Sequence, residues 1–131
     1  MNREIKFKAW DKVTKLLVDL IGFKDLGQKI ELWYWNKDNE KAYCVADKEY
    51  IELMQYTGLK DKNDKEIYEG DIIKNDGCDD GDLISVIIFD RGVFALKDEE
   101  DLPYVQYPLC EWNECCEVIG NIYENPELLK E

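Results

Sequence analysis

Histidine is absent from the 131 residues. Its absence excludes a Ser-His-Asp triad, a Cys-His dyad and any histidine-ligated metal. Serine occurs once, at Ser85, inside an apolar stretch with no partner base. Arginine occurs only at Arg3 and Arg91. Large phosphate-binding surfaces lean on lysine and arginine, with arginine supplying the bidentate base contacts. Nucleic acid is therefore a disfavoured partner. No apolar run approaches the roughly 18 residues of a membrane span. The opening MNREIKFKAWD alternates polar and apolar residues and does not read as a secretory leader. The expectation is a cytoplasmic protein with reduced thiols and no membrane contact.

What is present in excess is acid. There are 30 acidic and 17 basic residues, a formal net charge of −13. The excess is one-sided. Residues 1–65 carry 13 basic and 12 acidic residues, a net of +1, whereas residues 66–131 carry 4 and 18, a net of −14. The second half thus presents an acidic surface suited to a basic partner. A local basic group in the first half, Arg3, Lys6, Lys8, Lys12 and Lys15 against Glu4 and Asp11, reads as a solvated strand face. The five cysteines, Cys44, Cys78, Cys110, Cys115 and Cys116, lack Cys-x-x-Cys spacing, so buried free thiols are expected rather than zinc. No cofactor is expected. A content of 45% apolar and 12% aromatic residues is enough to fill the core of a single domain.

Side-chain alternation marks most of the chain as short strands. The candidates are Glu4–Trp10, Leu16–Phe23, Lys29–Trp35, Ala42–Val45, Tyr50–Tyr56 and Glu66–Lys74, the last with a bend at Gly70-Asp71. Leu83–Phe89, apolar on both faces apart from Ser85, reads as a central strand buried on both sides. Val93–Lys97 returns from a turn at Asp90-Arg91-Gly92, Tyr104–Leu109 reads as a proline-flanked edge strand, and Glu117–Tyr123 as the last strand. Asn125-Pro126 resembles an N-cap and first-turn proline opening a short helix, Glu127–Lys130. Polar loops fall at Asn36–Lys41, Lys60–Lys65 and Asn75–Asp82. Lys60–Lys65 is the best boundary between two lobes, 1–59 and 60–131. These signals predict an all-β sheet or small barrel.

Three segments carry a resemblance: REIKFKAWD at the start, LMQYTGLKDKNDKEIYEGDIIK at the centre and EVIGNIYENPELL near the end. Together they resemble the YopX family of phage and prophage proteins. The central motif is the most specific: Gln55, Tyr56, Thr57, Gly58, Leu59, Lys60 and Asp61, then Glu66, Ile67, Tyr68, Glu69, Gly70 and Asp71. The resemblance implies a mainly β fold of small antiparallel sheets, with an SH3-like or barrel-like C-terminal part. It implies a phage or prophage origin and supplies no activity and no catalytic residue. In one place the chain departs from the family, which usually has glycine where Asp64 stands. Read from its residues, the motif is a rigid corner. Gly58 and Gly70 serve backbone conformations that a side chain opposes. Thr57, Asp61 and Asp71 hydrogen-bond turn backbone, and Tyr56 and Tyr68 pack across the loop.

Four carboxylates in the second loop, Asp76, Asp79, Asp80 and Asp82, are the only metal candidates. Counting from Asp76, a calcium loop would need a glutamate where Ile87 stands, so the pattern fails and the loop reads as solvated. Trp33 and Trp35 share one face of their strand, as core, as subunit interface or as a stacking platform. The sequence thus predicts no enzyme and no catalytic residue. It predicts a protein-binding module that meets a host or phage protein and forms a homo-oligomer, with Trp33, Trp35, Tyr56, Tyr68, Asp79, Asp80 and Asp82 as contact candidates. The alternatives are a single-stranded nucleic-acid binder and a carboxylate metalloenzyme.

Overall fold

Most stretches marked as extended by alternation are strands in the computed structural model, which describes residues 4–75, 83–90, 92–98, 107–109 and 113–129; of the expected edge strand Tyr104–Leu109, residues 104–106 lie outside the described residues. The chain divides into two compact units, Met1–Gln55 and Tyr56–Glu131. The first holds β1 (Phe7–Asp11), β2 (Leu16–Asp25), β3 (Lys29–Trp35), β4 (Lys41–Asp47) and the start of β5 (Ile51–Lys60). The second holds the rest of β5, then β6 (Glu66–Tyr68), β7 (Asp71–Asn75), β8 (Leu83–Asp90), β9 (Val93–Asp98), β10 (Tyr107–Pro108) and β11 (Cys116–Asn121). All described pairings are antiparallel.

In the first unit the strand order is β4-β3-β2-β1-β5. Ala9 lies opposite Val18 and Leu53, and Leu32 opposite Phe23 and Cys44. This register gathers Ala9, Ile30, Leu32 and Ile51 into a buried cluster, with Val18, Leu20, Tyr34 and Cys44 packed against it. Each large apolar side chain buried there contributes roughly 1.5–3 kcal/mol. The turns share one device, an Asp or Asn at the strand end whose side chain holds the backbone amides that follow. Asp11 Oδ1 accepts from the amides of Val13 and Thr14. Asp25 Oδ1 accepts from Gly27, and Asn36 Oδ1 from Asp38 and Glu40.

In the second unit the sheet order is β10-β9-β8-β7-β11, and β6 pairs with the end of β5. Its core is Ile67, Ile73, Ile87, Leu96, Leu109 and Cys116. Among the described residues no pairing joins β10 to β11, so the sheet does not close into a barrel. β10 is too short to continue the ladder, and Pro108 has no N–H to donate.

Three local expectations are corrected. β8 is central, as expected, but of its described side chains only Ser85 and Ile87 are buried; Ile84, Val86 and Ile88 are half-buried and Phe89 is exposed. Apolar residues on both faces of a strand therefore need not mean burial on both. β5 runs through Gly58 to Lys60 instead of ending at Tyr56. The terminal helix is a single 3-10 turn, Pro126–Leu129. Asn125 does not cap it with its side chain; Asn125 Oδ1 accepts from the amide of Asn121 at 3.3 Å. Asn121 Oδ1 in turn takes the amides of Tyr123 and Glu124, and the chain is committed to a tight turn before a helix can begin.

Candidate functional site

The polar loop Asn36–Glu40 folds β3 and β4 into a hairpin whose odd residues face away from the buried cluster of the first unit. Trp33, Trp35, Tyr43 and Val45 therefore stand together on an open face, 38%, 39%, 52% and 46% exposed. Trp33 lies directly opposite Tyr43, with ring centroids 5.1 Å apart and tilted at 46°. The Lys41 ammonium sits 5.9 Å from the Trp35 ring centroid, in range of a cation–π contact. The Tyr43 hydroxyl donates to Glu31 Oε1 at 3.1 Å. Partial desolvation, then the Glu31 carboxylate, hold this phenol above its ordinary value. At the far end of the hairpin Lys29 pairs with Asp47 at 2.8 Å. The result is an aromatic surface framed by charge. Large aromatics in that setting are the usual centre of a protein contact, and their faces can equally stack a base.

The basic first strand offers little to accompany stacking. Lys6 pairs with Glu4 and Lys12 with Glu52, each at 2.8 Å, so much of its positive charge is already matched. Arg3 lies outside the described residues, as do Asp76, Asp79, Asp80 and Asp82. No cluster of acidic or cysteine side chains among the described residues is placed to hold a metal.

Tyr56 and Tyr68 are buried, 5% and 4% exposed, and their rings face each other at 5.4 Å. They form the inside of the corner built by the central motif. Thr57 Oγ1 donates to the Ile67 carbonyl at 2.8 Å and accepts from the Leu59 amide at 3.2 Å. Asp71 Oδ2 accepts from the Tyr68 amide at 2.8 Å. Gly58 and Gly70 have φ of +87° and +89°, the left-handed region expected of them. Asp61 does more than turn chemistry requires. Its Oδ1 accepts from Asn63 and Lys65, and its Oδ2 accepts from the Val118 amide at 2.8 Å. β11 shifts register against β7 between Val118 and Gly120, and such a bulge re-aims a backbone group away from the ladder. That long-range anchor carries no local signal in the sequence.

Of the cysteines described, Cys44 is half-buried, Cys115 exposed and Cys116 buried; Cys78 and Cys110 lie outside the described residues. Burial, then the Asp61 charge, push the Cys116 thiol up to about 11. Burial, then Asp11, also raise Cys44, which lines an apolar hollow of about 220 Å³ with Ala9, Val18, Leu32 and Ile51. Neither thiol is primed as a nucleophile. The exposure of Cys115 differs from the expectation of burial; it is the last residue of a 3-10 turn, Asn113–Cys115, at the entry to β11.

The fold and this face define a small antiparallel β protein with an open aromatic face. No helix among the described residues is long and apolar enough to cross a membrane. The family model described as "YopX protein" matches residues 6–130, and the chain belongs to that family. The fold is similar to the crystal structure of protein EF1440 from Enterococcus faecalis, with a TM-score of 0.61 and 28% identity over 98% of this chain and 100% of that one. It is also similar to the crystal structure of protein yopX from Bacillus subtilis, with a TM-score of 0.58 and 24% identity over 95% of this chain and 98% of that one. Comparison with curated proteins finds no match.

Proposed function

We propose that this YopX-family chain is a non-enzymatic protein-binding module of phage or prophage origin, acting in the host cytoplasm on a host or phage protein. The observation that carries this reading is the open aromatic face of Trp33, Trp35, Tyr43 and Val45. Exposed aromatics held in fixed cross-strand geometry offer contact area at little cost in side-chain ordering. The lack of histidine and the single serine support a role without catalysis. The net −14 of residues 66–131 favours a partner with a basic surface.

The test is recovery of tagged protein from host lysate, with and without nuclease, alongside a Trp33→Ala/Trp35→Ala variant shown by circular dichroism to be folded. A single protein retained after nuclease, and lost from the variant, is the expected result. Recovery that vanishes with nuclease favours the nucleic-acid reading. Recovery unchanged in the variant removes the aromatic face from the contact.

A further inference from the structure

Among the described pairings, β4 bonds only to β3, so it is an edge strand. Exposed edges are templates for another strand, and proteins usually blunt them with proline, bulges, short length or inward charges. β10 fits that rule, being two residues with Pro108. β4 breaks it. It has seven residues, KAYCVAD, no proline, and an unbroken register with β3 from Lys41 to Asp47. Its inward residues, Ala42, Cys44 and Ala46, are small and uncharged.

The direction of its backbone groups follows from the two ends of the hairpin. The Asn36 amide donates to the Glu40 carbonyl, and the Lys48 amide to the Gln28 carbonyl, both at 2.9 Å. Hydrogen-bonded pairs recur every second residue in an antiparallel ladder. Ala42, Cys44 and Ala46 therefore bond to β3, while Lys41, Tyr43, Val45 and Asp47 turn their N–H and C=O groups outward.

This edge is complementary to itself. Laid antiparallel on its own copy with Cys44 at the centre, Lys41 meets Asp47, Ala42 meets Ala46 and Tyr43 meets Val45. Opposite charges fall together at both ends, small residues meet small residues, and the aromatic meets a β-branched side chain, a favourable cross-strand pair. Centred this way, Tyr43 and Val45 exchange backbone hydrogen bonds, and the two Cys44 form a non-hydrogen-bonded pair. We propose that β4 pairs antiparallel with β4 of a second copy, about a twofold axis at Cys44, so that the first-unit sheets of two chains become one. The interface is isologous and closes at two. It sets the aromatic faces of both copies side by side, and it stands whether or not that face has another partner.

Sedimentation equilibrium of the purified full chain, with no other protein present, tests the pairing. The wild type is expected to dimerise. Lys41→Glu places like charges at both ends and should raise the dimer Kd by at least about tenfold. Asp47→Lys alone should do the same, although it also loses the Lys29 ion pair. Mixing the two variants makes every end pair opposite in sign again, and should restore dimers that contain one of each. Val45→Pro removes an outward N–H without touching the bonds to β3, and should give folded monomer. Monomer at every concentration up to about 0.1 mM overturns the proposal. So does a dimer indifferent to Lys41→Glu, to Val45→Pro and to mixing.

Discussion

Replacing Asp61 by asparagine isolates the anchor between the central loop and β11. The carboxylate accepts three backbone amides, from Asn63, Lys65 and Val118, at 2.8–2.9 Å. Asparagine keeps the shape but replaces one oxygen with an NH₂ group. Whichever way the amide turns, a donor then faces a donor. The loop amides belong to exposed residues and recover most of their bonding from water. The Val118 amide is half-buried and loses a charge-assisted bond, each such bond being worth roughly 1.5–3 kcal/mol. Adding a small loss from the loop, the expected destabilisation is about 2–4 kcal/mol. With a urea m-value near 2 kcal/mol/M, the unfolding midpoint should fall by about 1–2 M. Circular dichroism reads the midpoint, and hydrogen exchange at Val118 reads the local loss. A shift below about 0.3 M in urea, with unchanged protection at Val118, would refute the argument.

Three further outcomes follow from particular contacts. A Cβ on Gly120 would lie 2.6 Å from Asn125 Oδ1 and 2.9 Å from Leu128 Cδ1, so Gly120→Ala should displace the terminal turn at a cost of about 1–3 kcal/mol, seen as a lower Tm. Asp64→Gly should stabilise by roughly 0.5–1 kcal/mol, because glycine adopts a left-handed backbone without strain. Asp64 holds φ +65°, and its exposed ion pair with Lys60 at 3.8 Å is a weak one to lose; a lower Tm in that variant would contradict this. The Lys48 ammonium, then the Gly27 amide, hold the Asp25 carboxyl below its ordinary 3.8. That pairing stabilises the fold at pH above the unfolded value, and the benefit is lost as pH falls through the lower folded value. Lys48→Met should bring the Asp25 titration, followed by NMR, back toward the ordinary range.

Much of this architecture was legible because alternation and turn chemistry agree. Lys29–Trp35 alternates cleanly, NKDNEK supplies the turn, and the shared face of Trp33 and Trp35 follows from period two alone. Gly58 and Gly70 were legible for a similar reason, since a motif rich in turn residues narrows the backbone to conformations that glycine tolerates. Other features depend on partners far along the chain. Nothing near Asp61 names Val118 as the amide it holds. The run Leu83–Phe89 does not say which of its faces meets the core. The self-complementarity of β4 is written in KAYCVAD, but it acquires meaning only once β4 is known to be an edge. Asp76, Asp79, Asp80 and Asp82 lie outside the described residues.

The bond from Asp61 to Val118 also bears on the order in which the chain can fold as it is synthesised. Strands β1 to β4 join neighbours by short hairpins, and one long closure, β5 back onto β1 with Phe7 opposite Gln55, completes the first unit early in the chain. The second unit needs a closure of similar span, but its last strand lies near the end of the chain. β7 at Asp71–Asn75 awaits β11 at Cys116–Asn121, and the central loop awaits Val118. Closures of that span are slow to form. On an emerging chain the first unit can therefore be complete while the second is still without its last strand. During that interval the apolar residues of β7 and β8 wait for their cover, which makes the second unit the half whose assembly a chaperone would attend.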